Sequence, residues 1–174
     1  GRGNRPGMMQ LIPSIANNWN QDREKLSENI SKIKDYLERT NTKPIGDFPN
    51  ESILNDGFSQ FLKRYDHEFG GFGKAPKFPS PQDFIFLLRY YHKTKDESAL
   101  IMVENTLKHM QQGGIWDHIG FGFHRYSTDR EWLTPHFEKM LYDQAMLSLA
   151  YLETYQITGN EFYAETARDI FTYV

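Results

Sequence analysis

The sequence predicts an all-α fold assembled from helical hairpins. Apolar residues recur at steps of three and four along successive segments, Gly- and Pro-bearing turns separate those segments, and no stretch alternates long enough for a long strand. With 174 residues, 39% hydrophobic and 25% charged, the chain is long enough for a real core and has the balance of a globular domain.

Taken in order, Gly1, Gly3, Pro6 and Gly7 predict an irregular start. Met8 to Trp19 is a short amphipathic segment with Pro13 inside it, which kinks a helix or sits in its first turn. Gln21 to Arg39 is a clearer helix, with Leu26, Ile30, Ile33 and Leu37 as one buried stripe and a charged opposite face. TNTKPIGDFPN then reads as a linker, so the chain divides into 1–40, a linker at 41–50, and 51–174. Ser52 to Tyr65 is helical on the pattern of Ile53, Leu54, Phe58, Phe61 and Leu62. The loop DHEFGGFGKAPKFPSP follows, ending in Ser80 as N-cap and Pro81 in an early helix position. Helices run from Gln82 to about His92, and from Asp96 or Ser98 to Gln112, where Gly113 and Gly114 stop the second. GFHRYSTDREWL alternates around a polar turn and predicts a short β-hairpin within the 113–133 loop. Thr134-Pro135 predicts the next helix start, with that helix running to about Ile157. Thr158-Gly159-Asn160 breaks it, and Glu161 to Val174 is helical, stopping at FTYV without a cap signal, as expected of a piece of a longer protein or an end that meets a partner.

Composition narrows the function classes. The net charge of −3 argues against binding nucleic acid through a bulk field. Cysteine is absent, so there is no disulfide or thiolate chemistry in the chain, which leans towards the cytoplasm. No apolar run reaches the length of a membrane span, and GRGNRPGMMQ lacks a secretory core. No cofactor or membrane partner is expected. The aromatic fraction of 15% is high; aromatics build cores and also form platforms for sugar rings.

The densest chemistry lies in 113-GGIWDHIGFGFHRYSTDREWLTPHFEKMLYDQA-145. On a helix begun at Pro135, His136, Lys139 and Asp143 share one polar stripe of an otherwise apolar cylinder, while Glu138 points away. A polar stripe on a buried helix is either an internal network or the wall of a ligand cleft. Lys139 and Asp143 also have ordinary ion-pair spacing. Asp117, His118, His124, Arg125 and Tyr126 come from the preceding loop, and histidines with carboxylates are the parts of general acid–base catalysis. The reading assigns His118, His136, Glu138 and Asp143 as catalytic. Trp116, Asp117, His124, Arg125, Tyr126 and Trp132 are assigned to substrate binding, with the tryptophans as either core residues or stacking platforms. The three histidines are too widely spaced for a one-helix metal motif, so no metal is assigned. Ser127 lacks a nucleophile-elbow context, and GGFGKAP is a positioning loop rather than a P-loop. His67, His92 and His109 read as structural or exposed.

RPGMMQLIPSIANNWNQDRE, GGFGKAPKFPSP and above all the 113–145 run resemble the YyaL-like family, related to spermatogenesis-associated protein 20. The resemblance covers nearly the whole chain. It implies an upstream thioredoxin-like domain, with residues 1–40 as its tail and connecting helices, followed by the N-terminal part of an (α/α)6 toroid of the six-hairpin glycosidase type at 51–174. Phe121 stands where the family typically has a glycine. The resemblance further implies a sugar-binding cleft lined by His118, His124, Tyr126, His136, Glu138 and Asp143. The chemistry implied is that of a sugar isomerase or epimerase, or of a glycoside hydrolase. A non-catalytic scaffold module coupled to the thioredoxin-like domain is the alternative. An incomplete ring implies apolar edges that favour self-association, and activity is not expected of this piece alone.

Overall fold

The computed structural model describes residues 5–41, 48 and 50–174. The chain divides into two compact units, Gly1–Phe48 and Pro49–Val174. The first contains α1 (Met8–Gln21) and α2 (Arg23–Asn41). Pro13 lies within α1. The Gln10 side chain accepts the Gly7 N–H at 3.2 Å, closing the first turn. Neither helix buries a residue. The expected stripe on α2 is therefore not a buried one: Ile30, Ile33 and Leu37 are all more than half exposed.

The second unit runs α3 (Ser52–Arg64), α4 (Pro81–Thr94), α5 (Glu97–Gln112), β1 (Tyr126–Ser127), β2 (Pro135–His136), α6 (Leu141–Thr158) and α7 (Glu161–Tyr173). The all-α class holds. Asp96 caps α5 by accepting the Ser98 N–H at 3.0 Å, and Asn160 caps α7 by accepting the Phe162 N–H at 3.1 Å. Pro81 opens α4 as expected, but Ser80 adopts a left-handed backbone and makes no side-chain cap bond. Gly159, in the left-handed region, ends α6 with its N–H on the Tyr155 carbonyl at 2.7 Å. The core joins Phe84, Leu87 and Leu88 of α4, Met102, Val103 and Leu107 of α5, Leu147 and Tyr151 of α6, and Tyr163 and Ile170 of α7. Four loop residues complete it: Ile115, Trp116, Phe123 and Trp132.

Three expectations are corrected. The hairpin strands are 126–127 and 135–136, so the second lies beyond 133, where a helix was expected. The helix begins at Leu141 because the backbone from Thr134 to Glu138 is already bonded. Thr128 N–H donates to the Thr134 carbonyl at 2.8 Å, Arg125 N–H donates to the Glu138 carbonyl at 2.7 Å, and the Asp129 carboxylate accepts the Thr134 N–H at 2.6 Å. Pro135 thus sits in a strand of a two-stranded ribbon, where each strand has an open edge that can take a residue lacking an N–H. The helix is also not buried all round: Leu141, Tyr142 and Leu152 are strongly exposed, and Phe137 is 79% exposed in the strand extension.

Candidate functional site

Three loop systems build the end of the second unit that carries the predicted residues. The first is organised by Asp66. Its Oδ2 accepts from Lys77 Nζ and from Arg130 Nε, each at 2.7 Å, and its Oδ1 accepts from Arg130 Nη2 at 2.7 Å and from the N–H groups of Glu68 and Phe69. Burial works against ionisation, but the bonds from Arg130, Lys77 and the two backbone groups outweigh it and hold the carboxyl far below the usual carboxylate range. Lys77 is 1% exposed and donates a second proton to the Gly70 carbonyl at 2.7 Å. Burial lowers its pKa, opposed by Asp66. Gly70 and Gly71 both have positive φ, and a Cβ would lie 2.7 Å from Thr106 Cα in one case and 2.6 Å from Trp132 Cζ2 in the other. The backbone passes between those two residues, and only glycine fits. Backbone bonds in both directions then join Lys77 to Ser127, tying this loop to β1.

The second system is the 117–122 turn. Asp117 Oδ1 accepts the N–H groups of Ile119 and Gly120, each at 2.9 Å, and its Oδ2 accepts from Lys139 Nζ at 2.7 Å. The Gly120 N–H, Lys139 and the Ile119 N–H hold the Asp117 carboxyl well below its ordinary value. Lys139 also donates to the Phe121 carbonyl and lies 4.3 Å from the ring centroid of Tyr173 in α7. Lys139 therefore pairs with Asp117, and the helical pairing with Asp143 expected from spacing is not made.

The third system is the base of the hairpin. The register sets Tyr126 opposite His136, and their rings stack at 4.9 Å with 16° between planes. Phe78 stacks on Tyr126 at 4.8 Å, extending the aromatic column. Residues two apart on extended chain share a face, which brings Glu138 to His136 rather than away from it. His136 Nδ1 donates to Glu138 Oε2 at 3.1 Å, and Arg125 Nη1 donates to the same oxygen at 3.0 Å. The Arg125 bond pulls the Glu138 pKa down, burial opposes it, and His136 adds to the lowering. An ionised carboxylate only accepts, so Nδ1 is the ring nitrogen that can donate to Glu138. Asp143, in the first turn of α6, is 8% exposed. Burial pushes its pKa up to about 6, moderated by Arg125. Arg125 Nε is itself buried without a hydrogen-bond partner.

The structure thus brings together Arg125, Tyr126, His136, Glu138 and Asp143. His124 lies beside them, its Nδ1 donating to the Phe137 carbonyl at 3.1 Å. His118 is exposed and donates from Nε2 to the Gly113 carbonyl at 3.0 Å, with no bond to the cluster. Both tryptophans are buried: Trp116 packs on Phe123 at 4.6 Å, and Trp132 donates from Nε1 to the Phe69 carbonyl at 2.9 Å. Neither presents a face to a ligand. The sequence reading missed Asp66, Lys77 and Arg130, and it missed Tyr142, which interacts with Arg125. Among the described residues no three metal-ligating side chains converge, and no helix is long and apolar enough to cross a membrane.

No family model matches the chain. Over 98% of its length it is 44% identical to spermatogenesis-associated protein 20 of Homo sapiens and, equally, to that of Rattus norvegicus. It spans 23% of the length of either relative. Its fold is similar to cellobiose 2-epimerase from Bacillus thermoamylovorans B4167, with a TM-score of 0.57 and 19% identity, covering 70% of this chain and 36% of that one. Cellobiose 2-epimerase from Spirochaeta thermophila DSM 6192 gives a TM-score of 0.57 at 18% identity, covering 69% of this chain and 34% of that one. The helical hairpins are therefore part of a six-hairpin, (α/α)6 toroid. By its identity along nearly its whole length, the chain is homologous to spermatogenesis-associated protein 20.

Proposed function

We propose that residues 125–143 form one wall of a carbohydrate-binding cleft and that the chemistry served is proton transfer beside a sugar carbonyl, as in epimerisation or isomerisation. The observation that carries this is the His136–Glu138–Arg125 cluster with Asp143 at its edge. Glu138 engages Nδ1 and orients the imidazole, which leaves Nε2 as the ring nitrogen to exchange a proton with a ligand. Asp143 is partly protonated near neutral pH and supplies the acid. Glycoside hydrolysis is the weaker reaction type, because Glu138 is already engaged by two cationic or donor groups and does not stand opposite Asp143 as a free carboxylate. The fold shared with cellobiose 2-epimerases supports a sugar-like ligand. On this reading residues 1–40 are the tail of an upstream thioredoxin-like domain and its connecting helices, 41–50 a linker, and 51–174 the first part of the ring.

A second reading, a non-catalytic scaffold module, is favoured by one observation. Asp66, Asp117 and Asp129 are each satisfied by internal donors, as structural carboxylates are. The test is thermal shift and NMR titration with cellobiose, glucose and mannose, on the wild type, His136→Ala and Glu138→Gln. Saturable binding lost in folded variants supports the cleft. A flat response, together with strong destabilisation by both substitutions, leaves the scaffold reading.

A further inference from the structure

A second, separate cleft opens where α3 ends, between that helix end, the following loop and the tip of the hairpin. Its walls carry Lys63, Arg64, Lys74 and Arg130 against Asp66 and Glu68. Both carboxylates are already neutralised: Lys77 and Arg130 bond Asp66, and Arg130 Nη1 bonds Glu68 at 3.0 Å. Among the described residues no carboxylate forms an ion pair with Lys63, Arg64 or Lys74; Asp83 interacts with Arg64 only through space. Three cations therefore face one cleft in a chain whose net charge is −3.

The helix end does not account for them. Lys63 and Arg64 occupy the last turn of α3, where they offset a macrodipole equivalent to about half a negative charge. Lys74 lies on the loop across the cleft, and the positive charge left after that offset is large. Nor is the cleft free to collapse. Buried Asp66 and Lys77, with the half-exposed Arg130, form a clasp from the loop to the hairpin, and Gly73 N–H donates to the Arg64 carbonyl at 2.9 Å, fixing the loop on the helix end. The walls are preset before any ligand arrives, which lowers the ordering cost of binding.

We propose that this cleft binds a phosphate group. A guanidinium and two ammonium groups lining one cleft suit a dianionic tetrahedral oxyanion, which accepts from several donors at once. The site is distinct from the His136 cluster, although one hairpin carries Tyr126 at its base and Arg130 near its tip.

The test is an amide NMR titration with inorganic phosphate and, separately, with a hexose 6-phosphate. Saturable shifts at Lys63, Gly73 and Lys74 are expected. Lys63→Gln/Lys74→Gln should weaken binding by about tenfold or more, the loss expected for two charge-assisted bonds. Lys63→Arg/Lys74→Arg should retain it, and both double variants should keep the wild-type unfolding midpoint because the side chains are exposed. Equal affinity for the two probes identifies free phosphate as the ligand chemistry; tighter binding of the hexose 6-phosphate identifies a phosphoester. Glu138→Gln should leave phosphate binding unchanged, so a failed sugar-cleft reading does not carry this site down with it. Non-saturating shifts, or unchanged affinity in Lys63→Gln/Lys74→Gln, would overturn the proposal.

Discussion

Replacing Asp143 with asparagine should stabilise the protein near neutral pH, and the gain should vanish in acid. The carboxyl is raised from 3.8 to about 6 by burial, with Arg125 only partly compensating. At about 1.4 kcal/mol for each tenfold change, the ionised form carries a penalty of at most about 3 kcal/mol in the folded state. Residual solvent contact screens part of this, so about 1–3 kcal/mol is the working range. The sign follows from proton counting. Between pH 3.8 and about 6 the folded state holds a proton that the unfolded state has released. Stability therefore falls as pH rises through that window, then becomes flat above it. The neutral amide of the Asp143→Asn variant has no such titration. Urea unfolding, followed by fluorescence of the buried Trp116 and Trp132, should be measured from pH 4 to 8 on both proteins. The difference, Asp143→Asn minus wild type, should grow with pH up to about 6 and then level. Because every other carboxyl is common to both chains, it cancels. A difference that stays constant across the series would show that Asp143 does not titrate as a buried group, and would remove the acid from the proposed chemistry.

Other outcomes follow from the same contacts. Lys77→Met should cost about 3–5 kcal/mol in urea unfolding, because it leaves Asp66 buried with one partner fewer. Asp66 has the opposite titration to Asp143: its depressed pKa gives stability that is present above the unfolded value of 3.8 and lost as pH falls through the lower folded value. Asp66→Asn should flatten the wild-type loss of stability below pH 4. Thr106→Val removes the hydroxyl that accepts the Gly71 N–H at 2.8 Å and strands a buried donor, costing about 1–3 kcal/mol. His136→Ala and Glu138→Gln act on exposed groups, so they should leave the unfolding midpoint nearly unchanged while abolishing any saturable sugar response.

The helices of the second unit were legible because their signals are local. Asp96 and Asn160 cap through residues two positions away, and Phe84, Leu87 and Leu88 sit on one face by spacing alone. The stretch from Thr134 to Met140 was not legible, because its conformation is decided at long range. Thr-Pro followed by apolar residues carries a sound helix-start signal. It is overridden by Asp129 taking the Thr134 N–H and by Arg125 and Thr128 donating to carbonyls of the same stretch. A lone lysine such as Lys77 reads as a solvated charge; its burial depends on Asp66 and Gly70, eleven and seven residues back, and on Arg130 beyond the next two helices. The predicted cluster was legible as a set of residue types in one stretch, but its membership was not: Trp116 and Trp132 went to the core, and His118 stayed at the Gly113 carbonyl.

That override matters for the chemistry as well as the fold. On a helix, His136 and Glu138 would lie about 200° apart and could not meet. On extended backbone they share a face, and Glu138 becomes the acceptor that fixes the imidazole. The strand is therefore what makes a His–carboxylate pair from two residues in this order, and the strand exists only while Asp129, Arg125 and Thr128 hold it. Asp129→Ala removes acceptors for the N–H groups of Glu131, Leu133 and Thr134 at once. It should release the turn, let the residues after Thr134 adopt their local helical preference, and separate His136 from Glu138 without touching either. The readout is the 15N chemical shift of His136 Nδ1, which should move in Asp129→Ala as that nitrogen loses its contact with Glu138. An unchanged shift would mean that the pair forms from local preference alone, and that the hairpin turn is not what organises the site.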